Sequence, residues 1–381
     1  MSKSKKLLYI TRYSIHQDFN LKAKFDGQLN AFRNLGFDTY FIGFDQRYFY
    51  LVNGDKKTIV GKTHFGIPSY LHTAFYNDLH KAAIKAINLV GFDFVYWRAA
   101  PIWKSSCKLG KVIKDNGASL IYEIPTFSTN READMSLLRK LYTLFTKRKS
   151  DKFNERYVDY YVVIGEEAGG VYNGKPAINI ENGVDVNSLK ARSPKKEDDE
   201  IHILALASMC YWHGYDRLIK SLSQYTGKQK VIIHMVGGND GGCLGEWKQL
   251  ASDLKLNDKV IFHNSMFGKQ LDDIVDLCDL GAASLGRKDF KFISELKTRE
   301  YIARGLPFIM AVDDMVLSKL EQKYWIKISN DDAIPDMSKI IEFALEMRNK
   351  ENLIDDMRKL ACDILSWEAQ YKKLFNYIDN C

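Results

Sequence analysis

The residues of this sequence whose types and spacing best suit ligand chemistry lie in the segment 294–309. A short helix is predicted to begin at Glu300 and to end at Gly305, and the apolar run 306–310 is typical of a buried strand. Glycine is expected just past a helix end, because it adopts a left-handed conformation without a Cβ clash. A carboxylate on such a helix can bind sugar hydroxyls if it faces a cleft, or it can simply be solvated. The segment favours the binding role.

Two turns elsewhere place glycine where a ligand could approach the main chain. Asn182 and Gly183 follow a predicted strand and form a tight turn just before a polar linker at 189–200. His213 and Gly214 stand between a strand and a helix, where free N–H groups and the positive end of the helix dipole favour an anion. Each turn also has a purely structural alternative: an inert turn in the first case, and a histidine bonded to a nearby carbonyl in the second.

A second carboxylate, Glu123, ends a predicted buried strand in the first half of the chain. Pro125 stops this strand and places Glu123 near its carboxyl edge. The carboxylate could hydrogen-bond or deprotonate a substrate hydroxyl there, or it could cap the following turn. Arg98 ends the neighbouring predicted strand, where it could bind a phosphate group or pair with Glu123.

The composition is that of a globular protein without covalent cross-links. The chain has 381 residues, 46% of them hydrophobic, and six scattered cysteines without a Cys-x-x-Cys pair, which favours a reducing cytosol. No Asp-x-Asp occurs and the eight histidines lack zinc spacing, so we expect no metal cofactor. The first apolar run is too short for a signal peptide, and no run approaches the roughly 20 residues of a membrane span. We therefore expect a cytoplasmic protein that is soluble or peripherally bound to the inner face of the plasma membrane.

Charge is distributed unevenly along the chain. Residues 1–150 contain 24 Lys+Arg against 11 Asp+Glu, whereas the remainder contains 31 against 37. The basic half predicts an anionic partner, either nucleic acid, an anionic membrane or a lipid pyrophosphate, and the acidic second half disfavours nucleic acid. The basic amphipathic stretch 137–149 either packs on its own domain or lies in a membrane interface.

The order of predicted elements indicates an α/β protein with two Rossmann-like, doubly wound domains facing across a cleft. The first domain is predicted to span residues 1–187, completed by a C-terminal helix at 364–381, and the second to span 188–363. In such sheets, ligands bind beyond the carboxyl ends of the strands.

Three motifs carry a resemblance to a known family. Glu-Tyr-x-Ala-x-Gly-x-Pro-x-Ile over 300–309 and Ile-x-Asn-Gly-Val-Asp over 180–185 resemble the family-4 retaining glycosyltransferases of the GT-B fold. Glu-Ile-Pro-Thr over 123–126 resembles the capsular-polysaccharide members. The resemblance implies that Glu300 binds the ribose of a UDP- or GDP-linked sugar and that Glu123 and Arg98 are catalytic on the acceptor side. The donor-binding residues that it implies are Asn182, Gly183, His213, Gly214, Leu296, Lys297, Glu300 and Tyr301.

The sequence departs from the family at three positions. His213 occupies a position where a lysine is usual, and no arginine precedes it. Phe292 replaces the first carboxylate of a Glu-x7-Glu pair, and Glu295 is in the wrong register to substitute for it with confidence. The donor phosphates must then depend on main-chain N–H groups, His213 and Lys297.

The implied reaction is sugar transfer with retention, in which the donor's own β-phosphate helps to take the acceptor proton. The implied acceptor is a lipid-linked oligosaccharide or polysaccharide of a bacterial capsule, exopolysaccharide or O-antigen. The departures leave a second class open, a catalytically inactive glycosyltransferase-like subunit that binds sugar or a partner enzyme.

Overall fold

The protein forms two compact units, one comprising Met1–Glu181 with Trp367–Cys381 and the other comprising Asn182–Ser366. Each unit is built around its own sheet, which is mostly parallel in the first unit and parallel in the second. The computed structural model describes residues 4–15, 21–45, 47–63, 73–100, 102–125, 151–165, 170–195, 199–238, 242–286, 292–321 and 323–381.

The first unit has a nine-stranded sheet within the described residues. Its strands are β1 (Lys6–Ser14), β2 (Asp38–Phe44), β3 (Tyr48–Asn53), β4 (Lys56–Lys62), β5 (Phe94–Arg98), β6 (Ser119–Ile124), β7 (Tyr160–Ile164), β8 (Val171–Tyr172) and β9 (Lys175–Ile180). Their spatial order is β4-β3-β2-β1-β5-β6-β7-β9-β8. In this spatial order, each pair of neighbouring strands from β2 across to β9 is parallel. The β3–β4 hairpin at one edge and β8 at the other edge pair in the antiparallel direction.

Helices cover both faces of this sheet. They are α1 (Lys22–Asn34), α2 (Thr73–Val90), α3 (Lys104–Asp115) and the C-terminal helix (Trp367–Asp379). Leu8 of β1 packs into the core that also contains residues of α2 and α3, and the adjacent Tyr9 packs into the core shared by α1 and the C-terminal helix. Because successive strand residues point to opposite faces, a strand covered on both sides must be apolar throughout, as residues 7–10 are.

The C-terminal helix completes the core of the first unit. The rings of Phe32 on α1 and Tyr371 on the C-terminal helix stack with centroids 4.2 Å apart. Both side chains are fully buried. The last helix of the chain is therefore part of the same hydrophobic core as the first.

The second unit has a six-stranded parallel sheet and a separate two-stranded pair within the described residues. Its strands are β10 (Glu200–Leu206), β11 (Lys230–Val236), β12 (Val260–His263), β13 (Leu280–Ala282), β14 (Phe292–Ile293), β15 (Phe308–Met310), β16 (Asp313–Asp314) and β17 (Trp325–Lys327). The large sheet has the order β12-β11-β10-β13-β15-β17, the strand order of dinucleotide-binding folds, and the strand order reverses between β10 and β13.

The helices of the second unit alternate with these strands. They are α4 (Tyr215–Gln224), α5 (Leu244–Asp253), α6 (Lys269–Leu277), α7 (Leu296–Arg304), α8 (Met337–Arg348) and α9 (Leu353–Leu360). Helix α7 lies directly on β13, where a Cβ at Gly281 would stand 2.7 Å from the ring of Tyr301. Gly305 ends α7 with φ of +76°, as the sequence predicts.

The prediction of two doubly wound α/β units is confirmed. The predicted start of α7 is wrong, because the helix begins at Leu296 and Glu300 is its fifth residue. The β3–β4 hairpin is absent from the sequence prediction. The stretch 137–149 lies outside the described residues. In the described part of the chain, no helix has both the length and the apolar character needed to cross a membrane.

Candidate functional site

A cluster of polar side chains lies at the carboxyl ends of β10 and β13, where the strand order of the second unit reverses. Ser284 follows β13, His213 follows β10, and Glu295 and Lys297 stand at the start of α7. This edge is the place where open α/β sheets bind ligands, because helix starts and strand ends there leave main-chain groups free.

Glu295 anchors this cluster. It immediately precedes α7, and its carboxylate accepts hydrogen bonds from the main-chain N–H of Ser284 at 3.1 Å and from the Ser284 hydroxyl. The Thr298 hydroxyl donates to the carbonyl of Glu295 at 3.0 Å. These contacts fix the start of α7 four residues earlier than predicted. Sequence reasoning assigned no role to Glu295, whose acceptor contacts join it to a strand end 11 residues upstream.

Lys297 occupies the middle of the cluster. Its Nζ lies 2.9 Å from Nδ1 of His213, 3.1 Å from the Tyr215 hydroxyl and 3.7 Å from Oε1 of Glu295. Only 10% of the side chain is exposed, and burial lowers the pKa of the ammonium despite the nearby Glu295. Lys297, which the sequence implies as a donor-binding residue, is therefore a partly desolvated cation. Such a cation attracts an anion more strongly than a surface lysine does.

His213 is neutral in this environment. Burial, together with the adjacent Lys297, lowers the pKa of its imidazole to about 2. Nδ1 has two neighbours, Lys297 and the Ser284 hydroxyl at 3.0 Å, but the proton of that hydroxyl is directed to Glu295. Nδ1 therefore accepts from Lys297, and the proton of the neutral ring is on Nε2, which becomes a hydrogen-bond donor.

Gly214 allows the chain to turn from His213 into α4. It has φ of +65°, and a Cβ at this position would lie 2.9 Å from the carbonyl oxygen of Gly286. A larger residue would strain the turn and displace the start of α4. The turn thus places the amino end of α4 at the carboxyl edge of the sheet.

Asn182 fastens the turn that precedes the second unit's sheet to the segment before α7. Its main-chain N–H donates to Oγ of Ser294 at 3.1 Å, and its amide nitrogen donates to the Ser294 carbonyl at 2.8 Å. Its own carbonyl accepts from Nε of Arg299 at 3.1 Å, and Gly183 beside it is buried. These contacts give Asn182 a positioning role.

The remaining residues implied for donor binding lie on α7. Glu300 is a quarter exposed, and its Oε1 accepts from Nε of Arg304 at 2.9 Å. Tyr301 is fully buried, with its hydroxyl within 3.3 Å of the main chain of β10 and β13. Leu296 is half-buried at the first position of the helix. Glu300 can still present its second oxygen to a ligand, whereas the side chain of Tyr301 supports the packing of α7.

In the first unit, Glu123 is the centre of a buried charge network. It is fully buried and forms an ion pair with Arg98, its direct partner in the β5–β6 register. Its other oxygen accepts from the Tyr96 hydroxyl at 2.8 Å and from Nε2 of Gln28 at 3.0 Å, and Nζ of Lys24 lies 4.0 Å from its Oε1. The network contains two cations for one carboxylate.

The network lowers the pKa of both Glu123 and Lys24, which favours the charged carboxylate and the neutral amine. Burial tends to raise the pKa of Glu123, but Arg98, Lys24 and the hydrogen bonds from Tyr96 and Gln28 together lower it below its ordinary value. Burial and the charge of Arg98 lower the pKa of Lys24 to about 7, although Glu123 opposes them. A carboxylate held ionised by four partners is a weak base, which favours the structural role for Glu123, and its catalytic role stays a prediction.

The described residues contain no cluster of three or more His, Cys, Asp or Glu side chains that could hold a metal ion. The chemistry that can be assigned to the described site rests on Lys297, on the Nε2–H group of His213 and on main-chain N–H groups.

Comparisons with known proteins identify the fold. No protein-family model matches the sequence, and no curated protein matches it by sequence. Among solved structures, the chain is similar to a glycosyltransferase from Rickettsia africae ESF-5, with 15% identity, coverage of 99% of this chain and 98% of that one, and a TM-score of 0.64. It is similar to sucrose-phosphate synthase from Thermosynechococcus elongatus, with 12% identity, 99% coverage of both chains and a TM-score of 0.65.

A third similar structure is that of Anabaena Alr3699/HepE in complex with UDP, with 12% identity, coverage of 99% of this chain and 100% of that one, and a TM-score of 0.61. Similarity at these identities shows the fold. The chain has the GT-B fold of two Rossmann-like units.

Proposed function

We propose that this protein is a glycosyltransferase that transfers a sugar from a nucleotide-sugar donor, with retention of anomeric configuration and without a metal cofactor. The observation that carries the proposal is the Lys297–His213 pair at the carboxyl ends of β10 and β13. It presents a partly desolvated cation and a neutral N–H donor at the edge where this type of sheet binds ligands. The structural similarity to a UDP complex of the same fold supports the assignment.

The diphosphate of the donor is the group that suits this pair. In the proposed reaction the bond between the anomeric carbon and the diphosphate oxygen breaks, and the acceptor hydroxyl forms the new bond on the same face. The acceptor proton passes to the departing diphosphate. Because negative charge grows on the diphosphate as it leaves, donors fixed in advance at Lys297, at Nε2 of His213 and at the start of α4 stabilise the transition state more than the ground state.

Glu300 is the proposed ligand of the donor's ribose. Oε1 is engaged by Arg304, which orients the carboxylate, and Oε2 remains for hydroxyl groups. Arg304 also donates a hydrogen bond to Asp272 on α6, so its guanidinium is fixed in place and restrains the carboxylate of Glu300. A carboxylate oriented in this way loses little conformational entropy on binding a sugar.

The proposed acceptor is a lipid-linked oligosaccharide or polysaccharide in bacterial surface polysaccharide biosynthesis. Its support is the resemblance of 123–126 to capsular-polysaccharide members of the family and the basic excess of residues 1–150. Both features suit an acceptor that carries phosphate and is reached at the inner face of an anionic membrane.

The contact between Glu300 and Arg304 also supports a second candidate, a subunit of this fold that binds a sugar or a partner enzyme without catalysis. A carboxylate paired with arginine can also have a purely structural role, in which it stabilises α7.

One assay separates the two candidates. The purified protein is incubated with UDP- and GDP-linked sugars and a lipid-linked acceptor fraction, and released nucleoside diphosphate is measured. Release that depends on acceptor and is lost in Lys297→Met supports the transferase. Donor binding by calorimetry without any release supports the subunit that does no chemistry, and the absence of binding by every nucleotide sugar refutes the assignment of the site.

A further inference from the structure

The second unit contains a cavity at the opposite edge of its sheet from the candidate donor site. It lies beside the amino ends of β10 and β13 and has a volume of about 440 Å³. This volume falls within the roughly 300–1,000 Å³ of small-molecule sites. The charged residues of its lining are Arg192, Lys195, Arg348, Lys350, Asp279 and Asp355.

Its lining carries an excess of positive charge. The described lining contains four basic side chains and two carboxylates. One of the carboxylates, Asp279, is buried and already bonded to two of the basic side chains. Asp279 accepts from Nζ of Lys195 at 2.7 Å and from Nη2 of Arg348 at 2.7 Å. The described lining residues therefore carry a formal charge of +2, which a dianion would neutralise.

Arg192 is the cation of this lining whose direct partners are main-chain carbonyls. Only 7% of it is exposed, and its Nε and Nη1 donate to the carbonyls of Gly305 at 2.7 Å and Cys278 at 3.0 Å. Within the described residues it forms no ion pair, and its Nη2 has no hydrogen-bond partner. Burial lowers the pKa of this guanidinium, although the charges of Asp279 and Asp276 oppose the shift. A buried charge without a directly paired counter-ion is costly, and a bound anion would reduce that cost.

The start of α9 adds main-chain donors to the same cavity. Residues 353–355 line it, and their N–H groups belong to the first turn of an eight-residue helix. In the described part of the chain these N–H groups have no acceptor. Three free N–H groups at the positive end of a helix favour phosphate oxygens.

We propose that this cavity is a second ligand site, which binds the phosphate group of a small phosphate ester such as a hexose phosphate. A phosphomonoester is a dianion with three acceptor oxygens, which matches the charge of +2, the free Nη2 of Arg192 and the helix start. The site is independent of the donor site, because its lining residues and those of the Lys297 cluster do not overlap.

The test is calorimetric titration of the whole protein with glucose 6-phosphate at low ionic strength, with glucose as the ligand control. We expect millimolar or tighter binding of the phosphate and none of glucose. Lys350→Glu should weaken binding about tenfold or more, because it removes the excess charge of the lining. Arg192→Gln should weaken it similarly, and Lys350→Glu still decides the matter if Arg192→Gln does not fold.

Two control variants make the test specific. Lys339→Glu makes the same charge change on the exposed surface of α8, nine residues from Arg348 or about 13 Å along the helix, and should leave the affinity within twofold. Lys297→Met removes the cation of the donor site and should also leave it unchanged. Absence of binding by the unaltered protein, equal weakening by Lys350→Glu and Lys339→Glu, or loss of binding in Lys297→Met would each overturn the proposal.

Discussion

Lys297 donates a hydrogen bond to His213, with Nζ 2.9 Å from Nδ1, and this contact directs the remaining N–H of the imidazole away from the lysine. Lys297→Met should therefore remove a cation and also free the ring to change tautomer. We expect the affinity for UDP or GDP to fall about 10- to 100-fold, the effect of losing a charged hydrogen bond to phosphate. Calorimetry measures it, and Lys319→Met, at an exposed lysine of the same unit, is the control. An unchanged affinity in Lys297→Met would remove the donor site from this edge.

Glu300→Ala should weaken nucleotide-sugar binding by about 1.5–3 kcal/mol, because the carboxylate is proposed to accept from two ribose hydroxyls. The fold should be almost unaffected, since a partly exposed i,i+4 pair contributes only about 0.3–0.5 kcal/mol. Asp272→Asn is the matched control, because it removes the other partner of Arg304 and leaves Glu300 in place. Equal loss of affinity in both variants would show that Arg304, and not a ribose contact, is responsible.

Glu123→Gln should destabilise the first unit by about 3–5 kcal/mol, because it leaves the guanidinium of Arg98 buried without its counter-ion. Urea denaturation measures this loss. The double variant Arg98→Met/Glu123→Met should lose less than the sum of the single variants, since the two residues form one ion pair. Full stability of Glu123→Gln combined with lost turnover would instead support the acceptor-side catalytic role.

Lys24 should make the stability of the protein depend on alkaline pH. Its pKa is about 7 in the folded protein, against 10.5 for an ordinary lysine, so between these values the unfolded chain binds more protons than the folded one. The free energy of unfolding should then rise with pH across this window, by up to about 1.4 kcal/mol per unit. Lys24→Met should flatten the slope and Lys108→Met, on the exposed face of α3, should not. Parallel curves for the protein and Lys24→Met would contradict the lowered pKa.

The basic stretch 137–149 supplies a prediction that rests on sequence alone. If the acceptor is lipid-linked, replacing Lys147, Arg148 and Lys149 by Glu should release the protein from anionic liposomes, because each nearby basic residue contributes about 1 kcal/mol. High salt should act in the same way, and nucleotide binding should persist. Sedimentation with neutral and anionic vesicles measures this, and equal pelleting with both would rule out electrostatic attachment.

The central strands of both sheets could be predicted because buried parallel strands are nearly continuous apolar runs between turns. Residues 7–10 and 231–233 are of this kind. The β4 strand escaped prediction because it lies at a sheet edge, where residues 56–59 are exposed and carry no apolar pattern. The hydrogen bonds that hold such a strand come from the main chain and leave no trace in side-chain type.

The candidate site could be predicted only in part, because motifs identify residues but not their partners. Lys297 and His213 stand 84 positions apart, and only the folded sheet brings them into contact. Glu295 escaped assignment because its position was judged by its spacing from Glu300 along one helix. Its actual partner, Ser284, lies at the end of the preceding strand of the sheet.

The stacking of Phe32 on Tyr371 has a consequence for synthesis of the chain. The first unit buries aromatic surface against a helix that is translated after the whole second unit, so it cannot reach its native core while the ribosome is still producing the second unit. Domains usually fold in the order in which they emerge, whereas here the first unit can complete its core only after the second unit has been synthesised. Until Trp367–Asp379 emerges, the face of the nascent sheet that carries α1 lacks its second helix, and the apolar surface exposed during this interval favours aggregation.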